Sequence, residues 1–247
     1  MLETIIRKEL SMLFISPLAW ILLALIQFLF AGFFLMRLDA FLEIQSQLLQ
    51  MINSPGITEV VISSSFALAA IILLMITPIL SMRLLAEERR NHTLTLLISS
   101  PVAIIDIVLG KFLSIMIFFV FVIMLIIALS ISLRIGGTLD LGLLLSNAIG
   151  LLLLSACFSA LGLYISSLTA QPVIAAIGSL GMLLGLWMID LIANETSGWM
   201  HYISLLKHFR YFNQGLIDSL SIAYFILFIV TFLVLTIRHL DGERLHG

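Results

Sequence analysis

Residues 141–189 contain no aspartate, glutamate, lysine or arginine, and this uncharged run constrains the fold more than any other part of the sequence. A helix rises about 1.5 Å per residue, so about 20 apolar residues cross the hydrocarbon core of a bilayer. The run is more than twice that length and must cross twice. Residues 169–172 form the expected hairpin, because proline is tolerated in a first helical turn and disfavours helix at the residue before it.

The composition indicates that the rest of the chain also lies in a membrane. Hydrophobic residues make up 62% and charged residues 11%, with a mean hydropathy of +1.22, against about 45–50% and about 25% in soluble proteins. A chain of 247 residues with this composition leaves no room for a soluble catalytic domain of ordinary size, so we expect one membrane domain covering residues 1–247. The net charge of −2 gives no sign of nucleic-acid binding, and the lone Cys157 has neither a disulfide partner nor metal-ligand spacing.

Six segments are long and uncharged enough to span the bilayer, since one charged residue costs about 2.5–3.5 kcal/mol at the centre of an inserting helix. The chain is therefore expected to be an all-α integral membrane protein, with no cleavable signal peptide because the first apolar run is too long. The predicted spans are about residues 15–36, 60–81, 112–133, 143–168, 173–189 and 221–237.

Basic residues predict the orientation of these spans. Six spans place both termini on one side of the membrane, and the side with more lysine and arginine is normally cytoplasmic. The termini are therefore expected inside, with Arg7, Lys8, Arg83, Arg89, Arg90, Lys111, Arg238 and Arg244 on that side and Arg37, Arg134, Lys207 and Arg210 outside.

The first 14 residues have the pattern of an amphipathic helix. Apolar side chains recur there at helical spacing, with Glu3, Arg7 and Lys8 between them, as in helices that lie along a leaflet. Ser16-Pro17 interrupts the pattern before the first span, which argues against the alternative that residues 1–14 only extend that span.

On the outer side, residues 38–59 are expected to form a loop of mixed polarity. Residues 194–220 alternate aromatic and basic side chains, which predicts one or two short helices in the outer leaflet before the last span. Lys207, His208 and Arg210 in this segment either bind an anionic headgroup or glycan, or simply extend toward water.

Residues 83–111 form the most densely charged segment of the chain. The second span is expected to continue as a helix through Arg90, and Thr93 is expected to cap a short helix at residues 94–99 that ends before Pro101. Such a helix, held between the ends of two spans, is suited to receiving a push from a soluble partner. An ordinary charged loop is the alternative on physical grounds.

The order of residues in this segment resembles that of a known family. Ala86-Glu87-Glu88-Arg89-Arg90, followed by residues 93–97, Ser100-Pro101-Val102 and Leu109-Gly110-Lys111, is similar to the segment between spans two and three of ABC-2 type permeases, which usually reads AEER, GTLE with LL, SPV and LGK. His92 stands where that pattern has glycine, and Thr95 where it has glutamate.

Other parts of the chain extend the resemblance to the gliding-motility-associated permease subgroup. They are Lys8-Glu9-Leu10, Ser16-Pro17, the six spans, the outer segment before the last span, and Gly215-Leu216-Ile217-Asp218 with Tyr224 beyond it. The resemblance implies a bacterial-type cytoplasmic (inner) membrane protein.

The resemblance further implies a permease subunit of an ATP-binding-cassette exporter. Two such chains, as a homodimer or heterodimer in membrane lipid, would rest on two copies of an ABC ATPase subunit that binds ATP and Mg. A permease-like subunit that transmits ATPase motion to envelope machinery without moving a solute is the alternative. The implied ATPase-coupling residues are Glu87, Glu88, Arg89, Arg90, Thr93, Leu94, Leu96, Leu97 and Pro101.

An enzymatic function is not expected. The chain lacks a phosphate-binding loop, because Gly110-Lys111 is followed by Phe112 and Ile105 stands where the first glycine is required. An intramembrane enzyme could use Asp190 or Cys157, or a serine such as Ser155 or Ser159 with a histidine base, but every histidine is expected in a loop or terminus. Small residues at 155–162 more often mark tight helix packing. No catalytic or metal site is predicted.

Polar residues within the spans are candidates for a translocation path between two protomers. Apolar walls with few polar groups favour an amphipathic, lipid-linked or glycan-type cargo over a small ion. The alternative for each of these side chains is a hydrogen bond from helix to helix. The candidates are Gln27, Ser63, Ser64, Ser65, Thr77 and Ser179.

Overall fold

The computed structural model describes residues 2–48, 56, 58–94, 102–135, 139–193 and 204–246, and within these ranges the chain is helical, without a β-strand. Six helices there are long and apolar enough to cross a membrane, as predicted. The helices are the N-terminal helix Leu2–Ile15, span 1 Pro17–Leu48, span 2 Thr58–Arg90, span 3 Ile104–Ile131, span 4 Leu141–Leu168, span 5 Pro172–Ala193, a short helix Leu205–Asn213 and span 6 Ser219–His246.

Two predicted breaks in the helices are confirmed. Ser16 forms a bend between the N-terminal helix and span 1, and its hydroxyl accepts a hydrogen bond from the Leu18 amide at 3.4 Å. Spans 4 and 5 are joined at Thr169, whose Oγ1 accepts from the Gln171 amide at 3.2 Å, and span 5 begins at Pro172. Proline therefore begins the helix after each break.

Two helices extend beyond their predicted ends. Span 1 runs to Leu48, so the predicted loop at 38–59 is wrong for residues 38–48, and also for residues 58–59, where span 2 begins. Span 6 continues nine residues past 237, to His246. The sequence predictions stopped where charges mark the end of the hydrocarbon region. A helix needs no apolar environment, however, and the leucine, glutamate and arginine in these extensions favour it.

Span 4 lies at the centre of the molecule. It contacts spans 2, 3, 5 and 6 and the short helix, and 72% of its most apolar window is buried. Ser155, Ala156, Ser159 and Ala160 are at most 5% exposed, which confirms that these small residues serve tight helix packing. Spans 1, 5 and 6 surround this centre, and only 33%, 17% and 22% of their windows are buried.

The short helix packs across span 4 and span 5. A Cβ atom at Gly150 of span 4 would lie 2.5 Å from the Cβ of Phe212, so only glycine permits this approach. The prediction of a helix before span 6 is confirmed for Leu205–Asn213, whereas residues 194–203 lie outside the described ranges. Its place in an outer leaflet stays a prediction.

Candidate functional site

Charged side chains from four elements meet at the end of the molecule where span 2 finishes. The N-terminal helix contributes Glu9, span 2 contributes Glu88, span 3 contributes Lys111, and span 6 contributes Glu243. Lys111 is the most enclosed of them, with no exposed surface. The charged segment predicted from the sequence is therefore partly folded into the protein.

Lys111 lies between two carboxylates from different helices. Its Nζ is 3.0 Å from Oε1 of Glu9 and 2.8 Å from Oε1 of Glu88. Lys8 approaches the same two oxygens more loosely, at 4.0 and 3.8 Å, with about half of its side chain exposed. These four residues, Lys8, Glu9, Glu88 and Lys111, form a charge cluster with two positive and two negative groups.

The charge cluster determines geometry more than it adds stability. Removing charges from water costs several kcal/mol for each ion, and their attraction repays this only with close contacts. Once formed, however, a buried pair cannot lose one member without leaving an uncompensated charge, which costs about 3–5 kcal/mol. Span 2, span 3 and the N-terminal helix are therefore held in one relative position at this point.

Glu88 has one oxygen that the cluster does not use. Its Oε2 is buried and has no hydrogen-bond partner among the residues that the structure describes. Beside it lies a cavity of 330 Å³ between the N-terminal helix and span 2, lined by apolar side chains such as Leu13 and Leu84 as well as by Glu87 and Glu88. This space borders the end of span 2 on the side of the N-terminal helix.

A second ion pair extends the connection to span 6. Nη2 of Arg89 lies 2.5 Å from Oε1 of Glu243, and both side chains are mostly buried. The nearby pair of Arg83 and Glu87 is different, because its 3.8 Å contact joins half-exposed residues of the same helix. Exposed pairs contribute at most about 1 kcal/mol. Arg83 also donates from Nη1 to Ser16 Oγ at 3.3 Å, so both arginines contact another element, and Arg89 is the one that reaches span 6.

In the turn after span 2, the backbone of His92 has the conformation expected of the glycine that the family pattern has at this position. His92 has a φ of +57°, a backbone conformation that favours glycine. The Thr93 hydroxyl bonds back to the end of span 2, because its Oγ1 donates to the Glu88 carbonyl at 3.1 Å. Helix begins at Thr93 and Leu94, and residues 95–101 lie outside the described ranges, including Leu96, Leu97 and Pro101.

Two of the predicted coupling residues differ in exposure. Leu94 is 4% exposed and packs in the hydrophobic core of the chain, whereas Arg90 is exposed. Leu94 is thus already covered by its own protein. The prediction that an apolar face of this segment docks on a partner rests on Leu96 and Leu97.

The translocation candidates are not gathered into one site within the chain. Ser64, Ser65, Thr77 and Ser179 donate hydrogen bonds to carbonyls three or four residues earlier in their own helices, at 2.6 to 3.2 Å. Ser63 instead donates to the Asn213 carbonyl at 2.9 Å and so fixes the end of the short helix. Gln27 is half-buried in span 1. Their role in a path stays a prediction.

The expectation that every histidine lies in a loop or terminus is wrong for His208. It belongs to the short helix, is 3% exposed, stacks on the Tyr224 ring at 4.4 Å and lies 2.9 Å from Ser221 Oγ through Nδ1. Ser221 Oγ in turn donates to Asp218 Oδ2 at 3.3 Å. Serine occupies the middle position, whereas in a hydrolytic triad the histidine must stand between serine and carboxylate.

The serine and cysteine candidates are used in packing, and the side chain of Asp190 lies outside the described part of the structure. Ser155 and Ser159 donate to carbonyls of span 4, and the Cys157 thiol is buried 3.7 Å from the Phe225 carbonyl. In the part of the chain that the structure describes, no group of three or more histidine, cysteine, aspartate or glutamate side chains could hold a metal ion.

Sequence reasoning missed Glu9, Lys111 and Glu243 as members of a site. In the sequence, Lys111 is a charge that orients the spans and part of a family motif, and no spacing rule pairs it with a residue 102 positions earlier. The available signal was that Glu9 and Lys111 each occur in a motif that carries the family resemblance.

Comparison with known proteins agrees with this architecture. No curated protein matches the chain. Residues 3–238 match the family described as ABC-2 family transporter protein, which covers nearly all of the N-terminal helix, spans 1 to 5, span 6 through Arg238, and the charge cluster. Members of that family are membrane subunits that associate with an ABC ATPase and usually have no ATPase site of their own. The chain therefore belongs to the ABC-2 transporter family and is a multi-pass membrane permease subunit of an ABC transporter.

Proposed function

We propose that this chain is the permease of an exporter in which a separate ATPase subunit, carrying ATP and Mg, moves the segment 83–111. The observation that carries the proposal is the contact of buried Lys111 with both Glu9 and Glu88. A displacement of the end of span 2 cannot leave Lys111 behind without exposing unpaired charge in the interior. Span 3 and the N-terminal helix therefore follow.

The same displacement reaches span 6 through Arg89 and Glu243. Span 2 receives the motion, and three further elements are joined to it by ion pairs within a few residues of each other. This arrangement favours movement of the four elements as one body. It supports residues 83–94 as a coupling element and not as a spectator loop.

We propose that two copies assemble through span 5. Gly181 and Gly185 lie four residues apart on this span, and a Cβ atom at either would meet nothing within 4 Å. Small residues at this spacing let two membrane helices approach closely. The translocation path would lie along this interface, with a heterodimer as the other possible assembly.

The proposed cargo is amphipathic, lipid-linked or glycan-type. Long apolar faces remain uncovered on spans 1, 5 and 6, with few polar groups to replace the water around an ion. The proposed location is the cytoplasmic membrane of a bacterial-type cell with both termini inside. The gliding-motility subgroup remains a proposal from the sequence motifs.

Reconstitution tests the proposal. The chain, co-expressed with its ATPase, is placed in liposomes, and ATP-driven release of labelled lipid, glycan or peptide is measured. Arg89→Gln should reduce ATP-driven release because it separates span 6 from span 2, whereas the control Arg83→Gln removes a half-exposed pair and a hydrogen bond to Ser16 but leaves the contact with span 6 in place. Equal effects of both variants would contradict the coupling scheme. ATP hydrolysis without release of any cargo would favour a subunit that drives envelope machinery.

A further inference from the structure

The helix of span 2 changes its type before it reaches the charge cluster. Between the α-helical segments Ser63–Ser81 and Glu88–Arg90, residues Arg83–Glu87 form a π-helical turn. A π turn holds one residue more than the α turn it replaces, is rare, and frequently occurs at functional sites. Such a turn needs a reason to persist, because relaxation to a regular α-helix is otherwise favoured.

Ser166 of span 4 binds the backbone of this turn. Its Oγ accepts hydrogen bonds from the amides of Leu85 and Ala86 at 3.3 and 3.1 Å and donates to the Met82 carbonyl at 3.3 Å. In a regular α-helix these amides bond to carbonyls four residues earlier. One hydroxyl, buried with no exposed surface, thus serves three backbone groups of the π turn.

Glycine lets span 4 bring this hydroxyl so close. Gly162 lies one helical turn before Ser166, and a Cβ atom there would be 2.7 Å from the Cβ of Ser81. The two helices are therefore in contact immediately before the π turn begins. Ser166 reaches the turn from a fixed position in the most buried span of the protein.

The π turn determines where Glu88 points. If the turn relaxed to α-helix, every residue after it would rotate by about 100° about the helix axis and shift by about 1.5 Å. Glu88 is the first residue after the turn, and its Oε1 lies 2.8 Å from Lys111 Nζ. A rotation of that size would take the carboxylate away from the ammonium group.

We propose that Ser166 is a positioning residue that holds the π turn and thereby directs Glu88 onto Lys111. Its consequence for transport rests on the proposed function, but its effect on the ion pair does not. Loss of the hydroxyl lets the turn relax and separates the pair. Deletion of Ala86 removes the extra residue, so an entirely α-helical segment regains the original direction of Glu88.

A double-mutant cycle tests the proposal. Glu88→Gln, Lys111→Met and their combination are made in three backgrounds, and thermal unfolding in detergent is followed by dye labelling of Cys157, the one cysteine of the chain. With Ser166 present, the effects of the two substitutions on the unfolding midpoint should be non-additive, because the two side chains are in contact. With Ser166→Ala they should become additive. With Ser166→Ala and deletion of Ala86 together, non-additivity should return.

The outcomes distinguish positioning from simple packing. Unchanged non-additivity with Ser166→Ala overturns the proposal, and so does a loss that the deletion does not restore. If Ser166→Ala alone does not fold, recovery of folding and non-additivity by the deletion supports the proposal, and failure to recover overturns it. Ser167→Ala is the matched control, because that hydroxyl donates to its own helix at Tyr164. If the deletion restores non-additivity but Ser166→Ala has no effect on transport, the positioning role is supported and the proposed function is contradicted.

Discussion

Replacing Lys111 by methionine tests the charge cluster most directly. The substitution keeps an unbranched side chain but removes an ammonium group with no exposed surface, which leaves the carboxylates of Glu9 and Glu88 facing each other. Lys8 is about half exposed and lies 3.8 to 4.0 Å away, so it compensates only in part. We expect a loss of about 3–5 kcal/mol in the free energy of unfolding, the range for breaking a buried ion pair.

Cys157 provides the assay for this loss. Its side chain has no exposed surface, so a dye that fluoresces on reaction with thiols reports unfolding without an added label. For a chain of this length about 1 kcal/mol corresponds to about 2–4 °C, so the midpoint for Lys111→Met should fall by about 6–20 °C. Purified protein in one detergent is heated at one rate throughout.

A charge-balanced variant separates lost charge from lost packing. Lys111→Met combined with Glu9→Gln and Glu88→Gln removes all buried charges of the cluster together, and such replacements are often nearly neutral. We expect its midpoint to return close to that of the wild type. A single Lys111→Met variant with an unchanged midpoint would refute the argument that the ammonium group compensates both carboxylates.

Three further predictions concern assembly and orientation. Leu96→Asp with Leu97→Asp should leave the abundance of the protein in the membrane unchanged but reduce co-purification of the ATPase by about a hundredfold or more. An unpaired buried charge costs about 3–5 kcal/mol, and about 1.4 kcal/mol corresponds to a tenfold change in affinity. Retained co-purification would contradict docking by these residues. A cysteine at Asn91, on a Cys157→Ser background, should react with an impermeant reagent only in inverted vesicles, and reaction in intact cells would reverse the orientation. Gly181→Leu should convert a detergent-solubilised dimer to monomer by light scattering, and an unchanged mass would exclude span 5 as the interface.

The sequence was sufficient to predict the spans because the bilayer imposes a simple rule on charge. An uncharged run at 141–189 had to fold back, and the structure has its break at Thr169 to Gln171. The same rule could not predict helix ends in water. Leu48 and His246 end helices that continue past the charges at Arg37 and Arg238.

The candidate site could be predicted only in part. Glu88 and Arg89 were identified from the family resemblance, but their partners lie far away in the sequence, where neither helical nor strand periodicity relates two residues. In the sequence, Lys111 is one of the basic residues that predict the orientation of the spans, and only the three-dimensional packing reveals that it is buried. The π turn at Arg83–Glu87 was not predictable either, because the hydroxyl that binds its amides comes from another span.

The contact between Glu9 and Lys111 also imposes an order on biogenesis. The two residues are 102 positions apart, so at about 5–20 residues per second the ribosome needs about 5–20 s to supply the partner of Glu9. During this interval the N-terminal helix lacks span 3, with which it makes most of its contacts, while two spans are already entering the membrane. Docking of the N-terminal helix is thus a late step. A truncation of the first residues would leave Lys111 of span 3 without Glu9, as a mutation within the charge cluster would.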